Sequence, residues 1–352
     1  MKPIVAPQNT WLVVCLAAFL SASLPCVGDS KLVPDFTQTK LRAEQGHRNA
    51  QANLGMMYLA GDNVKQDYVL AAQWLRKAAE QGVAVAQHNL GVLYSEGKGV
   101  TQNAQEALKW YRLAAAQNYP SSILNLGVCY FDGTGVSQDY DEARKWFRKA
   151  GELGELTGFN YLGSIYNNGI GVVTNHAEAL AWYEKSALAG SPMGQHSLGL
   201  EYLNGTAGKA DEQLAVKWFR KAADQGQAES QDMMAFLYRK GRGVPTDPAK
   251  AVEYYRAAAM QGHSGAQLNL GVCLGGGIGV EADAVEACKW LTLAARQGEK
   301  KAQQALDKFF GNARQEVTAE GKRRADAFEP KVRQPRIKSV ISLESTLHGG
   351  MK

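Results

Sequence analysis

The stretch AVAQHNLGVLYSEGKGVTQNAQEALKWYRLAAAQNY, residues 84–119, decides the fold. Ala86, Leu90, Leu93 and Tyr94 fall at helical spacing and predict a first helix, helix A, over about 84–95. Gly97-Lys98-Gly99-Val100 reads as a turn. Asn103 then opens helix B, in which Ala107, Trp110, Tyr111 and Ala114 share one apolar face, and Gln117-Asn118 ends it. The same unit recurs along the chain. Gly55, Gly91, Gly127, Gly163, Gly199, Ala235 and Gly271 stand 36 residues apart. So do Trp74, Trp110, Trp146, Trp182, Trp218, Tyr254 and Trp290, and likewise Ala71, Ala107, Ala143, Ala179, Ala215, Ala251 and Ala287. Seven units without insertion or deletion make residues 47–298 one repeat array, where a length of 352 residues would suggest two or three domains.

The turn chemistry repeats as well. Gly61, Gly97, Gly133, Gly169, Gly205, Gly241 and Gly277 follow helix A, where a left-handed residue ends a helix. Asp67, Asn103, Asp139, Asn175, Asp211, Asp247 and Asp283 precede helix B as N-caps. Glu106, Glu142, Glu178 and Glu286 stand three residues on, which predicts a capping box. The glycine of each Leu-Gly pair (Leu54-Gly55 onward) leaves room for helix B. The Trp column and the residue after it are expected to fill that space, so Trp146→Ala is predicted to cost about 3–5 kcal/mol. Both ends carry half-units, as an array needs to cover its last apolar faces. Ala43, Gln45 and Gly46 lie 36 before Ala79, Gln81 and Gly82, placing an N-terminal capping helix within 29–46. Ala302, Gln303 and Leu306 lie 36 after Ala266, Gln267 and Leu270, and C-terminal capping helices are expected over 299–328. Residues 329–352 read as a disordered basic tail. Its Lys331–Lys338 run is a solvated segment or a short docking motif for an acidic partner or a membrane surface.

Residues 299–352 hold 12 Lys and Arg against 7 Asp and Glu, which is the whole net charge of +5. The neutral remainder argues against a nucleic-acid partner. Lys2, the apolar run from Trp11 to Leu20 and the small residues Ser21–Ser23 have the layout of a signal peptide over 1–28, cleaved after Gly28 or Ser23. The expectation is an exported chain, periplasmic or secreted; an uncleaved signal would be a membrane anchor. Removing the signal removes Cys15 and Cys26 and leaves Cys129, Cys273 and Cys288. Cys273–Cys288 is the candidate disulfide, against two buried thiols.

The pattern Ala86-Gln87, Leu90-Gly91, Tyr94, Gly97-Lys98-Gly99-Val100, Ala107, Trp110, Ala114-Ala115 resembles the Sel1-like repeat, a relative of the tetratricopeptide repeat. The resemblance implies an all-α fold, a right-handed α-solenoid of antiparallel helix pairs. It also implies a scaffold or adaptor that binds a protein or peptide partner in a concave groove. A regulator of a membrane signalling or envelope assembly system is the alternative, and a penicillin-binding or cell-wall-active hydrolase a further one. If helix A lines the inner wall, as in tetratricopeptide arrays, the wall columns are those of residues 49, 52, 59 and 60. They vary along the chain, and they name His88, Leu124, Phe131, Asn160, Asn167, His196, Leu203, Asp232 and Arg239 as partner-binding candidates. Asn53, Asn89, Asn125 and Asn269 form a column read as structural, the alternative being that it holds a ligand's main chain as in tetratricopeptide grooves.

No catalytic, metal or cofactor site emerges. His88 and His196 lie three repeats apart, roughly 30 Å at about 10 Å per stacked pair, too far to share a metal. Ser95-Glu96-Gly97-Lys98 has the S-x-x-K spacing of penicillin-recognising enzymes, but Gly97 and Lys98 belong to the repeat turn. Gly275–Gly279 is glycine-rich without a preceding strand, so it is no dinucleotide loop.

Overall fold

The computed structural model describes residues 35–311 and 315–331. The signal-peptide reading and most of the tail fall outside them. The chain divides into two compact units. Among the described residues, unit 1 runs to Ile165 with Gly169–Val173, and unit 2 comprises Tyr166–Asn168 and those from Thr174 on. Among the described residues every element is a helix, and the fold is an all-α solenoid of helix pairs.

Unit 1 begins with α1 (Phe36–Glu44), capped by Asp35. The pairs α2 (Arg48–Ala60) and α3 (Tyr68–Glu80), α4 (Ala84–Glu96) and α5 (Ala104–Ala116), and α6 (Pro120–Asp132) and α7 (Tyr140–Glu152) follow. Most of α8 (Thr157–Asn168) completes the unit. Unit 2 holds α9 (His176–Leu188), then α10 (Pro192–Asn204) with α11 (Glu212–Asp224), α12 (Ala228–Lys240) with α13 (Pro248–Met260), and α14 (Ser264–Gly276) with α15 (Ala284–Arg296). It closes with α16 (Lys300–Phe310) and α17 (Gln315–Asp326). Within a pair, Gln51 meets Gln81, Gly55 meets Leu75, and Tyr58 meets Asp67, so the two helices run antiparallel.

Local chemistry sets each boundary. Gly61, Gly97, Gly133 and Gly205 end their helices at φ between 66° and 78°, a region that disfavours a Cβ. Asn118 takes the same role at the end of α5 with φ 57°. The N-cap carboxylates and amides accept as expected: Asn103 Oδ1 takes the Gln105 and Glu106 N–H groups at 3.1 Å. The capping box, however, forms only on that side. The Asn103 and Asp139 N–H groups donate to the Tyr94 and Tyr130 carbonyls at 2.9 and 2.8 Å, closing the A–B loop, so the glutamate side chains are not required there. They turn to cations and indoles instead: Glu142 to Lys145 at 2.5 Å, Glu178 to the Trp182 indole N–H at 2.9 Å.

The interior also differs from expectation in one column. The fully buried residue of helix B is the one after the tryptophan: Leu75, Tyr111, Phe147, Phe219, Tyr255 and Leu291. It lies on the bare glycine of helix A. A Cβ on Gly91 would stand 2.6 Å from the Tyr111 ring, and one on Gly127 would stand 2.5 Å from Phe147. Trp74, Trp146 and Trp182 are only half-buried, with a lysine ammonium over each indole. Trp110 and Trp218 are buried, at 6% and 9% exposure, and Trp290 lies deepest at 1%, with the Phe328 ring against it.

Candidate functional site

Helix A has three faces. One carries Leu54, Tyr58 and Gly55 and their equivalents against helix B. A second meets the next repeat. The third is a stripe formed by the columns of residues 49, 53, 56 and 60, where exposure appears. In unit 2 it reads Met193, Ser197, Leu200 and Asn204 on α10, Glu229, Met233, Phe236 and Lys240 on α12, and Gly265, Asn269, Val272 and Gly276 on α14, all half-buried or exposed. Leu200, Met233 and Phe236 rest against the unit's core and show their outer sides.

Of the nine residues expected on an open wall, His88, Leu124, Asn160 and Leu203 are buried, while Phe131, Asn167, His196, Asp232 and Arg239 are half-buried and engaged with neighbouring side chains. At about 100° per residue, columns 52 and 59 lie about 70–90° round the helix from the centre of the stripe. Column 52 is therefore shut into the joint between repeats. His88 and Leu124 are buried there, at 5% and 6% exposure; Asn160 is buried as well, at 6%. His88 Nδ1 lies 2.9 Å from Ser122 Oγ of the next repeat, its ring 5.1 Å from that of Tyr119. His196 makes the same bond to Ser230 at 2.8 Å. Burial pulls both imidazoles down to about 4. Asp232 is half-buried; burial raises its carboxyl despite His263, Asn269 and Arg239 nearby, and its Oδ1 has no hydrogen-bond partner.

Column 59 is likewise engaged. Phe131 packs on Tyr140 and Phe147 at 5.4 and 6.2 Å. Asn167 Oδ1 lies 2.8 Å from His176 Nδ1. Leu203 is core. Arg239 is half-buried beside Tyr255, its Nε unpartnered. Columns 49 and 60 do lie on the stripe, whereas 53 and 56 were not read as wall. The signal for 56 was present as Val128, Leu200, Phe236 and Val272, apolar residues at a column with no fixed residue type. Asn53 and Asn125 are buried, and Asn89 donates to the Val85 carbonyl at 2.7 Å.

Cys273 and Cys288 are free and buried, as is Cys129. They point apart. Cys273 lies in the unit 2 core near Arg239, while Cys288 Sγ faces Thr292, Gly321 and the Thr318 carbonyl beneath α17. Ser95 Oγ donates to the Val92 carbonyl and Lys98 pairs with Glu96 at 2.9 Å, so this S-x-x-K spacing is occupied in holding the turn. Among the described residues no helix is long and apolar enough to cross a membrane. None of their His, Cys, Asp and Glu side chains gather in threes as a metal site.

The family model for the Sel1 repeat matches residues 48–83, 84–119, 120–155, 160–191, 192–227, 228–263 and 264–299. The chain is similar to a solved Sel1 repeat protein from Oxalobacter formigenes, with 33% identity, a TM-score of 0.63, and coverage of 78% of this chain and 79% of that one. It is also similar to a protective antigen of uropathogenic Escherichia coli strains displaying an SLR fold, with 37% identity, a TM-score of 0.58 and coverage of 83% of this chain. The match spans 65% of that antigen's length. Yeast Tom70, at 15% identity, a TM-score of 0.50 and coverage of 83% and 58%, shares the fold alone. No curated protein sequence matches the chain.

Proposed function

The chain belongs to the Sel1-repeat family, whose members are generally protein–protein interaction scaffolds, and from that premise we propose an exported, non-enzymatic scaffold that takes a protein or peptide segment along its helix-A stripe. The carrying observation is the contrast between columns. The helix-A stop glycines and the helix-B N-caps repeat the same chemistry seven times. The stripe of unit 2 instead presents Leu200, Met233, Phe236 and Val272, apolar side chains left half-open on a rigid frame. Such residues are suited to an amphipathic partner segment. The polar ends of the stripe, Glu229 and Lys240 among them, would orient it. Export is part of the proposal and rests on the signal-like residues 1–28. It requires the mature chain to begin at Asp29 or Leu24, which N-terminal sequencing from a fractionated cell decides.

The binding claim is tested with a photo-reactive phenylalanine analogue placed at 236 in one chain and at the exposed loop residue 173 in another. Crosslinks to a discrete partner from 236, lost when Leu200→Glu is added, support the stripe. The same products from both positions overturn it.

A further inference from the structure

In a complete repeat, helix A receives helix B on one face. Leu54 and Tyr58 are buried there, Gly55 lies under Leu75, and Gln51 meets Gln81. The last helix A of the array, α16, has the same face in a different setting. Leu306, Asp307 and Phe310 stand seven periods after Leu54, Gly55 and Tyr58, and Leu306 and Phe310 are only half-buried. The helix that follows, α17, rests on α15. A Cβ on Gly321 would stand 2.6 Å from the Cys288 Cβ, Cys288 Sγ lies 3.8 Å from the Thr318 carbonyl, and Arg324 pairs with Glu286 at 2.9 Å. Two features account for the change. Asp307 puts a carboxylate in the column where a bare glycine admits a ring, and α17 has neither an aromatic residue nor a leucine to lay on α16.

The divergence leaves a cavity of about 390 Å³ between α15, α16 and α17. That falls within the range of small-molecule sites, about 300–1,000 Å³. Cys288 and Thr292 of α15 form its floor, and Leu306 and Phe310 of α16 form one wall. Two opposite charges stand on its exposed rim, Asp307 from α16 and Lys322 from α17. Asp307 accepts from Gln303 Nε2 at 2.9 Å, and among the described residues neither charge belongs to an ion pair. Arg296, on the same rim, is taken by Asp326 at 2.6 Å. A simple anion would meet Asp307 and a simple cation would meet Lys322, so the rim matches a ligand that carries both charges. We propose that this cavity takes a zwitterion with an apolar side chain, a free amino acid or a short peptide, its ammonium on Asp307, its carboxylate on Lys322 and its side chain against Leu306 and Phe310. None of these residues belongs to the helix-A stripe, so the inference does not rest on the partner reading.

Isothermal titration calorimetry of the purified full chain at neutral pH tests the site, with leucine, phenylalanine and leucyl-leucine as probes. At least one is expected to bind, and its N-acetyl and C-terminal amide forms, each lacking one charge, to bind about tenfold more weakly or worse. Asp307→Asn and Lys322→Gln change exposed positions. Each is expected to weaken binding by a similar factor while helicity and the urea midpoint stay those of the parent. Tighter binding of leucine or phenylalanine than of leucyl-leucine assigns the site to a free amino acid, and the reverse order assigns it to a short peptide. Absence of binding by all three probes overturns the inference. So does binding that the blocked forms, or either substitution, leave unchanged.

Discussion

At the scale of single residues, the array depends on a ring lying on a glycine. Phe147 is fully buried, and it stacks on Tyr161 at 4.4 Å as well as covering Gly127. Trp146 is half-buried under Lys149. The expected cost of Phe147→Ala is therefore about 3–5 kcal/mol, and Trp146→Ala should cost distinctly less; urea midpoints of the two variants read the order. Gly127→Ala adds one methyl where no space exists and should cost about 1–3 kcal/mol. The histidines of the joints give a pH dependence with a definite sign. His88 and His196 are held to about 4 by burial, while in the unfolded chain they bind protons near 6.5. The unfolded state therefore gains protons first as pH falls, and stability present above 6.5 is lost between there and about 4. Each contributes a loss on the order of 2 kcal/mol between pH 7 and 5. The carboxyls of Glu155, Glu201 and Asp232, raised by burial, act in the opposite direction as they protonate. The histidine share is isolated by comparing the pH 7 and pH 5 midpoints with those of His88→Asn/His196→Asn, which should show a smaller fall.

At the scale of the helix, five of the pairs are clasped at their far end by two glutamines. Gln117 Nε2 donates to Gln87 Oε1 at 2.8 Å, and Gln87 Nε2 donates to the Ala79 carbonyl of the preceding repeat at 3.1 Å. The same clasp joins Gln81 to Gln51, Gln225 to Gln195, Gln261 to Gln231 and Gln297 to Gln267. In the third repeat both members change together, to Ile123 and Leu153. A lone buried amide would be left short of partners, so the pair is polar or apolar as a unit. Gln87→Ile is accordingly expected to cost about 1 kcal/mol or more, and adding Gln117→Leu should recover part of it, a coupling of about 0.5 kcal/mol measurable in a double-mutant cycle. The helices, caps and glycine turns were legible in the sequence because each is fixed by chemistry within a few residues. The clasp was visible only as an Ala-Gln motif, since its meaning needs residues 30 apart in one frame. The wall columns were misplaced for a related reason. Spacing shows that columns 52 and 59 vary, but only the neighbouring residues, Ser122 over His88 for instance, show how far each position is covered.

At the scale of the molecule, an array whose repeats touch only their neighbours has approximately additive stability, so removing one whole period should leave every remaining joint in register. Excising residues 84–119 places Pro120 after Val83, and both Val83 and Tyr119 precede a helix A at the same position. Tyr130 then takes the place of Tyr94 opposite Arg76, and Gly135 the place of Gly99 over the Tyr68 carbonyl. Such a chain is expected to fold with the helicity per residue of the parent, whereas excising residues 84–101 brings a helix B where a helix A belongs and should leave a chain that melts broadly or not at all. One joint in the shortened chain is mismatched. Ser122, which natively bonds His88, would face Ala52, because column 52 meets the next repeat's column 50. A buried hydroxyl without its partner costs about 1 kcal/mol or more. Ser122→Ala should therefore stabilise the excised chain by about that amount while destabilising the parent, where it strands His88. Circular dichroism and urea midpoints of the four chains measure the reversal, and a substitution that acts in the same direction in both would show that repeats do not meet column to column as the joints indicate.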